Sequence, residues 1–167
     1  MEDTVDLERL KGFSLFADLA EQPERLAVVS QYLAPRRFLA GEYIFHEGDM
    51  GDELFLLVQG AVRVLKLTKQ KEEYTIVDLQ ASYQVFFGEI ALMDSDKRSA
   101  SIQVLEDCLT YVINRDAFVE LGNKHPEIAL PITRVIAGIL CGRLRNVNND
   151  VIMLFDALVN EIETTQL

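Results

Sequence analysis

Between Phe87 and Ser101 the chain reads FGEIALMDSDKRSAS, and this segment carries the groups of a small-anion site. Gly88 lacks a Cβ, so its backbone can come close to a ligand. A short helical turn follows from Glu89 to Leu92, and the first N–H groups of a helix are unpaired and favour negative charge. Arg98 can hold a phosphate through a two-pronged, charge-assisted contact. Ser99 adds a hydroxyl donor, and Ala100 leaves room. Glu89 would repel a phosphate it faced, but set beside one it accepts from a sugar hydroxyl. One arginine and one carboxylate nine residues apart suit a compact nucleotide of low charge.

Other chemistries find little support. His46 and His125 are isolated, as are Cys108 and Cys141, so no metal site or iron–sulfur cluster has its ligands. Glu53 to Gly60 has the E-x6-G spacing of cupin oxygenases, but no His-x-His precedes it. There is no nucleophile elbow, P-loop or paired carboxylates. The segment therefore reads as a binding site without catalysis and without metal. Its alternative is a buried Arg98–Glu89 ion pair in a domain that binds no nucleotide. Glu47, Asp49 and Asp52 read as a solvated turn, with Gly48, Gly51 and Gly60 as punctuation. The two cysteines read as reduced, buried thiols.

The elements that must position these groups follow from the apolar period. Residues 1–35 read as helical, with Val5, Leu7, Leu10, Phe13, Phe16 and Leu19 at short steps and Leu26, Val29 and Leu33 after Pro23. Residues 36–114 read as short strands separated by turns, among them Leu54–Val58 and Ala61–Leu67 on either side of a Gln59–Gly60 break, and then Ile102–Val104 and Leu109–Ile113. That pattern predicts a closed all-β roll. Residues 115–163 read as helices, with Asn114 as an N-cap, Gly122 as a stop and Pro126 opening a long helix. Along that helix Leu140, Leu144, Val147, Val151, Leu154 and Leu158 form a heptad seam, which predicts a homodimer through residues 132–162.

Sixteen basic against 27 acidic residues leave a formal charge of −11, which disfavours a nucleic-acid partner. No apolar run exceeds five residues, far short of the roughly 18 a membrane span needs. The acidic start, MEDTVDLERL, has no apolar signal region, so a cytoplasmic protein is expected. Met1 favours a stand-alone chain over a fragment.

The residues at Phe87–Ser101 resemble the phosphate-binding cassette of the cyclic nucleotide-binding domain family, FGE-[LI]-A-L, five residues, R-x-A. Gly41 to Gly60, GEYIFHEGDMGDELFLLVQG, resembles a second family pattern upstream. The resemblance implies an eight-stranded β-roll, a double-stranded β-helix or jelly roll, with N-terminal helices and a long C-terminal helix, the whole forming one domain. It implies that Arg98 pairs a cyclic phosphate and Glu89 accepts from the ribose 2′-hydroxyl. Backbone N–H groups around Gly88, Ile90, Ala91 and Ala100 line the phosphate. Ser99 stands where cAMP-preferring kinase cassettes have Ala and cGMP-preferring ones Thr. It matches the bacterial activator, which favours cAMP over cGMP as ligand. Asn148 falls roughly where the activator places a base-contacting side chain. Two departures stand out. Gln84 replaces a turn glycine, where no left-handed residue is easy, and Lys97 replaces the proline of kinase cassettes. The expected function is a sensor that transmits ligand binding through its C-terminal helix, with no DNA-binding module; a dimerising scaffold without nucleotide is the alternative.

Overall fold

A computed structural model describes residues 4–94 and 96–165; Ser95, in the loop before Arg98, lies outside them. The chain divides into two compact units, one up to Ile132 and one from Thr133 onward.

The N-terminal helical stretch is broken into three pieces. Helix α1 spans Leu7–Lys11, a 3-10 segment Ser14–Leu19, and α2 Pro23–Ser30. The Asp6 carboxylate caps α1 by accepting from the Glu8 N–H at 2.9 Å. Pro23 opens α2, where its missing N–H costs nothing. Leu10, Phe13, Phe16, Leu19, Leu26 and Val29 are all buried. The short steps between the first four fit the tight 3-10 pitch and not one long α-helix.

Six antiparallel strands follow: β1 (Ala34–Phe38), β2 (Tyr43–Phe45), β3 (Glu53–Leu67), β4 (Glu73–Gln80), β5 (Phe86–Phe87) and β6 (Ser101–Asn114). The order is β1-β6-β3-β4, with β2 on β6 and β5 on β3. The runs read as separate strands on either side of Gln59–Gly60 are one strand, β3. Register shifts between Leu57 and Val62 mark a bulge there, with Gly60 at φ +86°. Likewise Ile102–Val104 and Leu109–Ile113 are two halves of β6. Counting each long, bent strand as two gives the eight of a β-roll. The core between the strands holds Phe55, Leu57, Val62, Phe87, Ile102, Val104, Cys108 and Val112. Phe55 and Phe87 stack with ring centres 5.4 Å apart.

Helix α4 (Arg115–Lys124) starts where Asn114 accepts from the Ala117 N–H at 2.8 Å. It runs through Gly122, which is not a stop. The helix ends at His125, because the residue before Pro126 is pushed out of helical geometry. Helix α5 spans Pro126–Thr165, with Pro131 in its early turns. In the second unit, Leu144, Val147, Val151, Leu154 and Leu158 of the seam are exposed, as are Ile152, Met153, Phe155 and Ile162. Among the described residues, no helix is long and apolar enough to cross a membrane.

The cysteines differ from each other. Cys108 is buried in the roll, and burial pushes its thiol up to about 11. Cys141 is exposed, contrary to the expectation of two buried thiols.

Candidate functional site

The cassette is assembled at the end of β5. Phe87 is buried against Phe55 and ends the strand; Gly88 then turns the chain at φ +84° into α3 (Glu89–Asp94). A Cβ on Gly88 would lie 2.6 Å from the Glu53 carbonyl oxygen and 2.8 Å from Arg98 Nη1. The glycine is needed for both its dihedral and its space.

Arg98 sits in the loop leading to β6, and the Gly48–Asp52 turn holds it from the other side. Its N–H donates to the Asp49 carbonyl at 2.8 Å, and its own carbonyl accepts from the Gly48 N–H at 2.9 Å. Met50 and Lys97 form an isolated bridge between the same segments. Gly51 leaves no room for a Cβ beneath the Arg98 guanidinium. The turn is largely exposed, as the sequence suggests, yet it forms a wall of the arginine site. The Glu47 N–H also donates to the buried Ser101 hydroxyl at 2.8 Å, tying turn to cassette.

Arg98 is 6% exposed, which is unusual for a charge. Nη1 donates to the Glu53 carbonyl at 2.8 Å and, more weakly, to the Gly88 carbonyl at 3.5 Å. The guanidinium lies over the Phe45 ring, 4.1 Å from its centre. Burial pulls its pKa below the usual arginine value, opposed by the charges of Glu53, Asp52, Asp49 and Glu89. It stays a cation. Among the described residues, Nε and Nη2 meet no acceptor. Donors therefore remain for a phosphate.

Glu89 is 2% exposed at the start of α3, with Ala91 buried and Ile90 half-buried behind it. Ser99 is exposed and Ala100 half-buried. These residues come together in the first unit, whereas Asn148 belongs to α5 in the second and is exposed. Sequence reasoning missed three supports of Arg98: Gly51, the Phe45 ring and the Glu53 carbonyl. All three lie in the upstream motif, whose spacing was visible but whose role was not.

Residues 35–125 match the family model described as the cyclic nucleotide-binding domain. The chain belongs to that family. A relative, the cyclic AMP receptor protein of Thermus thermophilus, is 31% identical over 145 residues, 87% of this chain and 63% of its own length. The cGMP-dependent protein kinase isozyme 1 of Drosophila melanogaster is 40% identical over 126 residues, 72% of this chain but 15% of the kinase. The chain thus spans less than two thirds of either relative. The crystal structure of the Thermus thermophilus catabolite activator protein superposes with a TM-score of 0.74 at 30% identity, over 84% of this chain and 62% of that one.

One departure of this cyclic nucleotide-binding domain is resolved by the structure. Gln84 does adopt the left-handed conformation, φ 51° and ψ 46°, that the sequence reading held difficult without glycine. Its N–H donates to the Ala81 carbonyl at 2.9 Å, and its side chain lies on Gly12, where any Cβ would meet it. The tight turn and this packing over-determine a strained residue.

Proposed function

We propose that this domain is a cytoplasmic cyclic nucleotide sensor that prefers cAMP to cGMP and acts by binding without chemistry. The observation that carries the reading is a buried arginine whose Nε and Nη2 meet no acceptor among the described residues, walled by two glycines and facing the start of a helix. In this reading Arg98 and the N–H groups of Gly88, Ile90, Ala91 and Ala100 take the phosphate. Glu89 accepts from the ribose hydroxyl, Ser99 tunes the choice of base, and Asn148 contacts it.

Binding is read out by a shift of population. Leu92 of α3 lines a residual apolar cavity of about 10 Å³ together with Phe118 and Leu121 of α4 and Ile132 of α5. An interior this tightly packed transmits a displacement of α3 instead of absorbing it. Movement of the cassette onto a phosphate therefore repacks Leu92 and biases α5. Titration calorimetry with cAMP and with cGMP tests the reading. Saturable heat with the tighter constant for cAMP is expected; no heat from either at high micromolar ligand would leave the scaffold alternative.

The output surface in this reading is α5. A second copy of the chain covers the exposed heptad seam within residues 132–162, giving a homodimer. After Arg145 the chain contains Asp150, Asp156, Glu161 and Glu163 and no Lys or Arg, so this stretch of the helix offers no basic groups to a nucleic-acid backbone. Leu144→Glu and Val151→Glu each place a charge in the seam. Sedimentation of either variant is expected to give monomer mass where the unaltered chain gives dimer, and an unchanged mass would refute the seam.

A further inference from the structure

The anion site has an electrostatic difficulty. Four carboxylates, Glu53, Asp52, Asp49 and Glu89, act on Arg98, the single buried cation among the described residues. An incoming phosphate meets those charges as well as the arginine. Glu53 is the one whose charge bears on Arg98 most strongly, and its carboxylate is held by a second cation.

Arg36 on β1 grips the Glu53 carboxylate with both prongs, Nη2 to Oε1 at 2.6 Å and Nη1 to Oε2 at 3.0 Å. The pair is bidentate and partly shielded, the geometry in which an ion pair outperforms a loose surface contact. Arg36 is itself fixed. It lies opposite Thr110 in the β1–β6 register, and its carbonyl accepts from the fully buried Thr110 hydroxyl at 3.1 Å. Both arginines approach the same ring, each 5.8 Å from the centre of Phe55. Glu53 thus gives its carboxylate to Arg36 and its carbonyl to Arg98.

We propose that Arg36 is a positioning residue of the nucleotide site: by neutralising Glu53 it removes one negative charge from the place where the phosphate meets Arg98. This rests on the cyclic nucleotide reading. Without Arg36, Glu53 competes with the phosphate for Arg98; without the Glu53 charge, Arg36 adds attraction of its own.

The test is calorimetric titration of cAMP into the full chain, Arg36→Gln, Glu53→Gln and the double variant, at about 20 mM and about 500 mM salt. One unit charge near the phosphate is expected to change affinity about tenfold at low ionic strength, and about twofold once salt screens it. Arg36→Gln should weaken binding by that factor, Glu53→Gln should tighten it about threefold, and the double variant should return to within about twofold of the starting chain. An Arg36→Gln chain that binds normally overturns the proposal. So does a loss that salt does not reduce or that Glu53→Gln does not rescue, since either marks a packing effect. A silent unsubstituted chain overturns the nucleotide reading itself, which is a different observation from a binding chain indifferent to Arg36.

Discussion

Arg98→Ala is expected to raise the dissociation constant for cyclic nucleotide by about 100-fold or more, about 2.8 kcal/mol at 1.4 kcal/mol per decade. The substitution removes the only buried cation of the cassette among the described residues, and with it the charge-assisted donors that a phosphate requires. The cost to folding should be much smaller, on the order of 1 kcal/mol. A buried guanidinium with main-chain partners carries a desolvation penalty that disappears with it, offset by the lost donor to the Glu53 carbonyl and the lost contact with Phe45. Arg98→Lys keeps the charge but loses the planar fork, so it should fall between the two. Calorimetry paired with thermal melting separates the effects. Undiminished binding by Arg98→Ala, in a chain that still melts cooperatively, would show that the phosphate sits elsewhere.

Gly88→Ala should cost both stability and binding. At φ +84° an alanine is strained, a cost of about 1–3 kcal/mol. Here its Cβ also runs into the Glu53 carbonyl, which belongs to a strand and cannot move aside as a side chain could. A total loss of about 2–4 kcal/mol is expected from urea midpoints at unchanged slope. The same Cβ pushes on Arg98 Nη1, so affinity should drop in the folded fraction. Gly41→Ala is the informative control. Its φ is +91°, but no atom lies within 4 Å of the added Cβ, so only the same backbone strain of about 1–3 kcal/mol, without the steric part, should appear and binding should persist. Equal losses for the two glycines would refute the steric part of the argument.

Much of the site was legible because its parts are close in sequence. Gly88, Glu89 and Arg98 fall within one cassette, and the turn, short helix and basic residue each carry a local signal. The Asn114 cap and the opening of α5 at Pro126 were legible for the same reason. Other features depend on what packs against a residue. Gly60 looks like a break between two strands, but paired to β6 it is a bulge inside one. Gly122 looks like a helix stop, but two more residues continue the helix until Pro126 forbids it. Gln84 looks incompatible with a left-handed turn until Gly12 is placed under its side chain. Cys141, apolar enough in type to pass for core, lies on an exposed part of α5.

The sequence by itself determined the groups of the candidate site: one arginine, one carboxylate, a glycine and a helix start, in an order that suits a singly charged nucleotide. Charge alone, at −11, pointed only away from a nucleic-acid partner. Only the tertiary structure decided how those groups coexist. Arg98 is held by a carbonyl 45 positions earlier, and the carboxylate of that same residue is held by an arginine 17 positions earlier still. Periodicity and motif spacing report local backbone geometry, whereas the field at a buried cation is a sum over neighbours that only strand pairing brings within a few ångströms.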